Sequence, residues 1–343
     1  MRLRTAIIGF GQVAAGYADD PVTARYVRYA THAQVLSDHP SFQWDAVVDP
    51  SEEALALARD RWNVPCVARS VEELPIEHRP EVAVVATPPD HRLDVLRSLP
   101  DLRAVVVEKP LALTLRDAEQ LVRWCSSLNV VMQVNLWRRA DETFRRLAEG
   151  GLEELIGRPQ TAFGVYGNGL INNGTHMVDF VRMLFGQIKE AMVIGPAAPY
   201  PPGPVIGDVD VPFSVRTEAG MVVSMHPVDF GNYRENSLDI WGERGRLSIL
   251  NEGLTITVHA RVNNRALMDE WEVRHDEPQA LEPTVGQALY RLYDNLAASV
   301  VGGASLWSPG ESALETARVV DVILNATTSG QAPHGRTVAV ELA

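Results

Sequence analysis

Two glycines separated by one residue, with a small residue three positions further on, stand near the start of the chain. The segment Gly9-Phe10-Gly11-Gln12-Val13-Ala14 reads G-x-G-x-x-A and directly follows an apolar run. In such a segment the first glycine permits a tight turn, the second lets backbone approach a pyrophosphate, and the third small residue lets a helix pack closely. The spacing predicts a dinucleotide-binding turn that opens a helix. The alternative is an ordinary glycine-bearing turn between a strand and a helix.

An acidic residue at the end of the next strand is the expected partner of the dinucleotide's ribose. Asp49 follows Ala46-Val47-Val48, and a carboxylate there favours NAD because it would repel the 2′-phosphate of NADP. The distance from the glycines exceeds the usual spacing of about 20 residues. We attribute the excess to an additional loop and helix between Gly16 and Pro40. The alternative is a solvated turn aspartate before Pro50.

Two further turns follow apolar strand segments. Thr87-Pro88-Pro89 ends the third segment, and Glu108-Lys109-Pro110 ends the fourth. Ligands of open sheets gather at the carboxyl ends of the strands, so both turns are expected to line a cofactor cleft. Lys109 emerges from a buried strand at a turn that proline restricts, which favours a functional lysine over a surface one.

A histidine and an asparagine four residues apart precede an apolar stretch. If residues 172–176 begin a helix, Asn172 and His176 lie on the same face, where the amide could orient the imidazole or a substrate. The alternatives are that Asn172 only shapes a loop or N-cap, and that His176, followed by apolar residues, is a core histidine.

The surrounding sequence predicts how these residues are positioned. Apolar segments alternate with stretches of helical periodicity, which is typical of βαβ units and a parallel sheet. Leu115–Leu128 has the pattern of an amphipathic helix with Thr114 as its N-cap. The predicted strands of this half are Thr5–Gly9, Trp44–Asp49, Val82–Thr87, Ala104–Val107 and Val130–Asn135.

The pattern changes after about residue 136. A glycine- and asparagine-rich stretch leads to a helix at Met177–Phe185 and a proline-rich connector at Gly195–Pro204. Alternating segments between turn residues then predict an antiparallel meander. Its strands are Val211–Arg216, Met221–His226, Ser237–Trp241, Arg246–Leu250 and Leu254–Ala260, followed by helices at Gly286–Val301 and Pro309–Ser329 and a final strand at Thr337–Leu342. We expect an α/β Rossmann domain with a doubly wound parallel sheet at residues 1–135. Residues 136–343 should form an α+β domain with a large, mostly antiparallel open sheet.

Composition narrows the classes of function. The net charge of -13, from 44 acidic and 31 basic residues, disfavours nucleic-acid binding. Cys66 and Cys125 lack disulfide or zinc spacing, and the histidines lack metal-ligand spacing, so no metal is expected. Met1–Arg4 followed by apolar residues resembles a short signal, but Gln12 interrupts the apolar run, and no run approaches the roughly 18 residues of a membrane span. We expect a cytoplasmic protein without a membrane partner.

Taken together, the motifs resemble the glucose-fructose oxidoreductase, inositol dehydrogenase and rhizopine-catabolism (Gfo/Idh/MocA) family of NAD(P)-dependent enzymes, and the resemblance spans nearly the whole chain. It rests on the glycine segment, Thr87-Pro88-Pro89 with His91, Glu108-Lys109-Pro110, Asn135 near Arg138, Gly174-Thr175-His176 with Asp179, and the turn Gly242-Glu243-Arg244-Gly245.

The resemblance implies roles for particular residues. Lys109 and His176 would face the substrate carbinol beside the nicotinamide. Family members commonly have aspartate where this chain has Asn172, so a proton relay that depends on that charge is in doubt. The implied cofactor residues are Gly9, Phe10, Gly11, Gln12, Val13, Asp49, Thr87, Pro88, Pro89, His91, Glu108 and Lys109, and the implied substrate residues are Asn135, Arg138, Asn172, Thr175 and His176.

The implied function is hydride transfer between NAD, or NADP, and a secondary alcohol or ketone. The substrate would be a sugar, sugar phosphate, nucleotide sugar or cyclitol, and the second domain would bind it and form a homodimer or homotetramer. Two alternatives stay open: a glycosidase that uses NAD for transient oxidation, and a non-catalytic NAD(P)-binding regulator.

Overall fold

The predicted fold class is confirmed. The computed structural model describes residues 2–200 and 203–328, and the backbone of 337–339. These residues form one parallel sheet of six strands and a second, mostly antiparallel sheet of ten.

The strands are numbered along the chain. They are β1 (Leu3–Ile8), β2 (Phe42–Val48), β3 (Cys66–Ala68), β4 (Val82–Val85), β5 (Ala104–Val107), β6 (Val131–Val134), β7 (Pro159–Tyr166), β8 (Ile188–Val193), β9 (Ala198–Pro199), β10 (Val209–Asp210), β11 (Phe213–Thr217), β12 (Val222–Pro227), β13 (Ser237–Gly242), β14 (Gly245–Leu250), β15 (Thr255–Asn263), β16 (Trp271–Val273), β17 (Gln279–Leu281) and β18 (Thr337–Ala339).

The α-helices are numbered in the same way. They are α1 (Thr23–Tyr26), α2 (His32–Asp38), α3 (Glu52–Asp60), α4 (Arg92–Arg97), α5 (Leu115–Ser127), α6 (Glu142–Arg146), α7 (Leu152–Ile156), α8 (Thr175–Phe185), α9 (Ala288–Gly302) and α10 (Gly310–Thr328). None of the helices in the described residues is long and apolar enough to cross a membrane.

The parallel sheet has the strand order β3-β2-β1-β4-β5-β6. Every residue of β4 and β5 is buried, as expected for strands covered on both faces. The five strands predicted for this half are present, and the Thr114 side chain caps α5 by accepting the Asp117 N–H. The short strand β3 was not predicted.

The prediction that a regular helix opens at the glycine turn is wrong. The chain instead makes hydrogen-bonded turns, such as the one from the Ala15 N–H to the Gly11 carbonyl, and then a 3-10 turn at Gly16–Asp19. Asp20, which follows it, has extended backbone angles and precedes Pro21, and the residue before a proline is disfavoured in helical conformation. The additional loop and helix predicted between Gly16 and Pro40 are present, because α2 begins there behind a capping box at Thr31.

The chain divides into two compact units that differ from the predicted continuous domains 1–135 and 136–343. The first unit contains Met1–Asp141 and Gly286–Leu314, and the second contains Glu142–Val285 and Glu315–Ala343. Helix α9 joins the first unit because its apolar face, including Leu292 and Leu296, is buried in that unit's core. Periodicity predicted the helix but could not tell which core it enters.

The second unit contains the large sheet, in the order β16-β15-β14-β13-β7-β12-β11-β8-β18, and its tenth strand, β17, also pairs with β15. The predicted meander needs correction, because β7 lies between β12 and β13 and runs parallel to β12. Strands β7 and β8 were not predicted, since they precede the segments with clear alternation. Strand β18 confirms part of the predicted final strand. Residues 340–342 of that strand, Ser329 of the last predicted helix, and residues 201–202 of the connector lie outside the described residues.

Candidate active site

Backbone hydrogen bonds align the predicted turns along the carboxyl edge of the parallel sheet. Gly9 donates its N–H to the end of β2, Ala86 to the end of β1, Glu108 to the end of β4 and Asn135 to the end of β5, over 2.8 to 3.1 Å. The residues that follow β1, β4, β5 and β6 therefore share one edge. Because β1 lies between β2 and β4, the strand order reverses at this point, where doubly wound sheets bind ligands.

The glycine turn has the properties that its sequence predicts. Gly9 has a φ of +87°, and a Cβ there would lie 2.9 Å from the Ala86 carbonyl carbon, so the position requires glycine. A Cβ at Gly11 would meet no atom within 4 Å. The backbone at Gly11 thus borders open space, as the close approach of a phosphate requires.

Asp49 is tied to the glycine turn. Its Oδ2 accepts the Phe10 N–H at 2.7 Å, and its Oδ1 accepts the Ser51 N–H at 2.8 Å. A carboxylate oxygen has a second lone pair, so both oxygens retain acceptor capacity for hydroxyl groups. The aspartate therefore lies beside the first glycines although it follows Gly9 by 40 residues along the chain.

Arg92 holds the two predicted turns together. Its buried guanidinium donates to the Thr87 carbonyl at 3.0 and 3.2 Å and also to the carbonyls of Glu108 and Pro110. Burial lowers the pKa of Arg92 to about 10, and the charges of Glu108 and Asp90 oppose that shift. Sequence reasoning missed this residue because its partners are backbone atoms, which leave no signal in side-chain types.

The remaining residues of the Thr87 turn lie towards solvent. Pro88 is exposed and Pro89 half-buried. His91 is exposed, and its Nε2 lies 3.2 Å from an Asp90 carboxylate oxygen. These side chains are accessible to a ligand at the edge of the sheet.

The turn that contains Lys109 rests on a buried carboxylate. Glu108 Oε1 accepts hydrogen bonds from His32 Nε2 at 2.8 Å and Asn135 Nδ2 at 2.5 Å. Burial disfavours the charged form of Glu108, but these hydrogen bonds and the electrostatic attraction of His32 and Lys109 outweigh it, so the pKa of Glu108 lies below its ordinary value. The peptide bond between Lys109 and Pro110 is cis.

Two polar atoms at the same edge are buried without a hydrogen-bond partner among the described residues. They are Thr87 Oγ1 and Asn135 Oδ1. Buried polar atoms are rarely left unsatisfied, so these two fit a ligand that carries hydroxyl or amide groups. With the open space at Gly11, they match the chemistry of a dinucleotide. Arg138 follows in the next turn, buried, with its guanidinium 4.3 Å from the Trp137 ring centroid.

In the second unit, the segment before His176 is helical but not regular. Helix α8 begins at Thr175, directly after a π-helical turn at Gly169–Gly174, so Asn172 lies in that turn and His176 in the helix that follows it. Asn172 Nδ2 donates to the Asn168 carbonyl at 3.1 Å, and Thr175 Oγ1 donates to the Ile171 carbonyl at 2.7 Å. Both predicted substrate residues therefore also stabilise this turn. His176 is half-buried in the first turn of α8.

Asp208 anchors the π-helical turn and was not predicted. Its carboxylate accepts the N–H groups of Ile171, Asn172 and Val209 at 2.9 to 3.0 Å. Burial raises the pKa of Asp208 above its ordinary value, although these hydrogen bonds oppose the shift. The turn that leads into His176 is thus fixed from a distant strand segment.

Asp179 lies one turn further along α8 and serves the structure of the unit. Its Oδ1 accepts the Thr316 hydroxyl at 2.9 Å and lies 3.6 Å from Arg182 Nη1. Asp179 therefore holds α8 to Thr316 on α10.

The predicted site residues fall into two groups. Lys109, Asn135 and Arg138 belong to the first unit with all of the predicted cofactor residues, whereas Asn172, Thr175 and His176 belong to the second. Within the described ranges, no three His, Cys, Asp or Glu residues are grouped as metal ligands would be.

Comparison with known proteins identifies a matching family model and relatives that are similar over part of the chain. Residues 3–136 match the family model described as "Oxidoreductase family, NAD-binding Rossmann fold". Mouse trans-1,2-dihydrobenzene-1,2-diol dehydrogenase is 30% identical over 175 residues, which cover 45% of this chain and 52% of that protein. The 1,5-anhydro-D-fructose reductase of Ensifer adhaerens is 28% identical over 199 residues, covering 52% of this chain and 59% of that protein. The chain thus spans little more than half the length of these relatives.

Solved structures show the same fold over the entire length. Levoglucosan dehydrogenase in complex with NADH and L-sorbose has a TM-score of 0.75 at 18% identity, covering 100% of both chains. At that identity the likeness is one of fold. The sequence match is stronger evidence for the N-terminal half. Over residues 3–136 the chain matches the oxidoreductase family with the NAD-binding Rossmann fold.

Proposed function

We propose that this protein is a NAD-dependent oxidoreductase that transfers hydride between nicotinamide and the carbinol or carbonyl carbon of a sugar-like substrate. The observation that carries the proposal is the shared edge of the parallel sheet. There the glycine turn, Asp49 and the Lys109 turn are joined by hydrogen bonds within one unit. A family match over residues 3–136 supports the cofactor.

The residues of the first unit would hold the cofactor. The backbone of the glycine turn would bind the pyrophosphate, Asp49 the ribose hydroxyls, and Thr87, Pro88, Pro89, His91 and Glu108 the nicotinamide half. Bound NAD supplies the hydride acceptor. Phe10, Gln12 and Val13 would contribute backbone rather than side-chain contacts.

Lys109 and His176 would act on the substrate oxygen. The Glu108 carboxylate attracts the ammonium group of the neighbouring Lys109. Lys109 would then stabilise the developing alkoxide, and His176 would accept the hydroxyl proton. Asn135, Arg138, Asn172 and Thr175 would bind the substrate's other polar groups.

The relatives' names suggest the substrate class. One acts on a cyclic diol and another on an anhydro-sugar, so we propose a sugar, sugar derivative, nucleotide sugar or cyclitol. Because Cys66 and Cys125 are free thiols, we place the activity in the reducing cytoplasm. We expect a homodimer or homotetramer.

A screen of both cofactors against a panel of polyols and sugar derivatives tests the proposal. We expect turnover with at least one compound and a higher catalytic efficiency with NADH than with NADPH. Replacement Asp49→Asn should lower the ratio of the catalytic efficiency with NADH to that with NADPH. The exposed control Asp60→Asn should leave this ratio unchanged. A clear NADPH preference would contradict the role of Asp49 and implicate Arg59 or another basic residue.

A further inference from the structure

A chain of buried side chains lies behind the Lys109 turn, and the proposed chemistry assigns no role to two of its members, His32 and Tyr293. His32, on α2, is completely buried. Its Nδ1 lies 2.7 Å from the hydroxyl of Tyr293 on α9, and its Nε2 lies 2.8 Å from Glu108 Oε1. Asn135 Nδ2 contacts the same carboxylate oxygen. All four residues belong to the first unit.

The carboxylate determines the direction of these hydrogen bonds. An ionised carboxylate only accepts, and the partners of Glu108 hold its pKa below the ordinary value. His32 must therefore carry a hydrogen on Nε2 and donate it. Asn135 must turn its amide nitrogen towards Glu108 for the same reason. Burial raises the pKa of Tyr293, so its hydroxyl keeps its hydrogen.

A fixed Asn135 amide has a consequence at the edge of the sheet. With Nδ2 held by Glu108, Oδ1 is the free end of the amide. Oδ1 is buried and has no partner among the described residues. An unsatisfied buried acceptor is costly, and a donor on a bound ligand would remove that cost.

We propose that His32 is a positioning residue that acts through Glu108 to present Asn135 Oδ1 as the acceptor for an O–H or N–H group of the bound dinucleotide or substrate. This inference rests on the proposed function for its ligand. His32 does not touch the ligand. His32 holds the Glu108 carboxylate in place, and that carboxylate orients the Asn135 amide. The amide then offers Oδ1 to a ligand group that donates a hydrogen bond.

The hydrogen-bond directions can be measured without any ligand. Long-range ¹⁵N–¹H correlation spectra of the full chain should show the His32 hydrogen on Nε2. The His32→Gln variant identifies the resonance by its loss. A hydrogen found on Nδ1 alone would overturn the inference, because Glu108 could not then be the acceptor.

Binding measurements test the consequence for the ligand. We expect His32→Leu and Asn135→Leu each to weaken binding about tenfold, the scale of one hydrogen bond of about 1.4 kcal/mol. If the group that donates to Asn135 Oδ1 belongs to the dinucleotide, both variants should raise the Kd for NADH. If it belongs to the substrate, both should leave that Kd unchanged and raise the KM for the substrate. His32→Gln, which retains an N–H donor, should recover most of the loss.

A second buried histidine provides the matched control. His39 is also in the first unit, but its Nε2 pairs with the half-exposed Asp294, so His39→Leu should leave NADH binding unchanged. If His32→Leu and Asn135→Leu bind NADH and substrate like the wild type, the inference is overturned. A wild-type chain that binds no NADH would instead contradict the proposed function. Should His32→Leu fail to fold, Asn135→Leu and the position of the His32 hydrogen in the wild type still decide the outcome.

Discussion

Lys109 is unusual for this chain at the scale of single residues. The sequence has only two lysines, Lys109 and Lys189, among its 31 basic Lys and Arg residues. Arginine supplies nearly all other positive charges, yet a lysine stands at the turn after β5. A compact ammonium suits a group that must approach a reacting oxygen more closely than a guanidinium can.

Replacement Lys109→Ala should nearly abolish turnover while NADH binding survives. The lysine is expected to act on the substrate oxygen, so its loss removes transition-state stabilisation more than cofactor affinity. Steady-state kinetics and NADH titration measure the two effects separately. The matched control is Lys189→Ala, whose exposed side chain lies on β8. Unchanged turnover in Lys109→Ala would remove this residue from the mechanism.

Replacement His176→Asn should lower the chemical rate by roughly two to four orders of magnitude, the usual scale of general acid–base catalysis. The pH profile of alcohol oxidation should also lose its acidic limb, since that limb reports deprotonation of the base. His226→Asn, a half-buried histidine of the same unit, serves as the control. A His176→Asn variant with the wild-type rate and profile would show that another group moves the proton.

Glu108 should stabilise the fold in a pH-dependent way. Its folded pKa lies below the ordinary 4.5, so its contribution is present above pH 4.5 and is lost as pH falls through the folded pKa. Denaturant titrations of the wild type and Glu108→Gln should therefore differ most at neutral pH and converge in acid. A difference that does not change with pH would contradict the ionised, hydrogen-bonded Glu108.

The residue scale also shows where sequence reasoning ends. Asp49, Lys109 and the glycine turn were predicted because their types and spacing are informative, and the structure aligns them along one edge. Arg92 and Asp208 were not predicted, since each acts on backbone groups far along the chain. No side-chain pattern marks such partners.

At the scale of elements, strands and amphipathic helices could be predicted because burial imposes a period on the sequence. The absence of a regular helix after Gly11 could not be predicted in this way, because the effect of Pro21 competes with the motif's usual helix. The position of β7 between β12 and β13 was also missed. That position depends on close packing between residues that are distant in sequence. One example is Gly164 on β7, where a Cβ would lie 2.7 Å from Sδ of Met225 on β12.

Arg92 couples two turns of the parallel sheet, and Arg92→Lys should loosen both. Lysine has three donors on one nitrogen and cannot reach the carbonyls of Thr87 and Pro110 together. We expect the free energy of unfolding to fall by roughly 2 to 4 kcal/mol, as for lost hydrogen bonds from a buried charge. NADH affinity should fall as well. Arg97→Lys, at an exposed position of the same helix, should change neither quantity, and equal effects of both variants would contradict the coupling.

At the scale of the whole molecule, the chain forms two units of interleaved sequence. The first takes Gly286–Leu314 from far along the chain, and that segment brings Tyr293 into contact with His32. The candidate cofactor site thus depends on residues from both halves of the sequence. This dependence could not be predicted, because the apolar face of α9 fits either core by periodicity alone.

The central claim is that the protein transfers hydride between nicotinamide and a carbinol carbon. The most direct test is to incubate the protein with NAD and a panel of cyclic polyols and sugar derivatives that carry deuterium on the carbinol carbons. The mass of the cofactor is then measured by mass spectrometry. The account predicts deuterium on the nicotinamide ring with at least one compound in the wild type, and none with Lys109→Ala. A wild-type protein that binds NADH but never transfers deuterium across the panel would contradict the account.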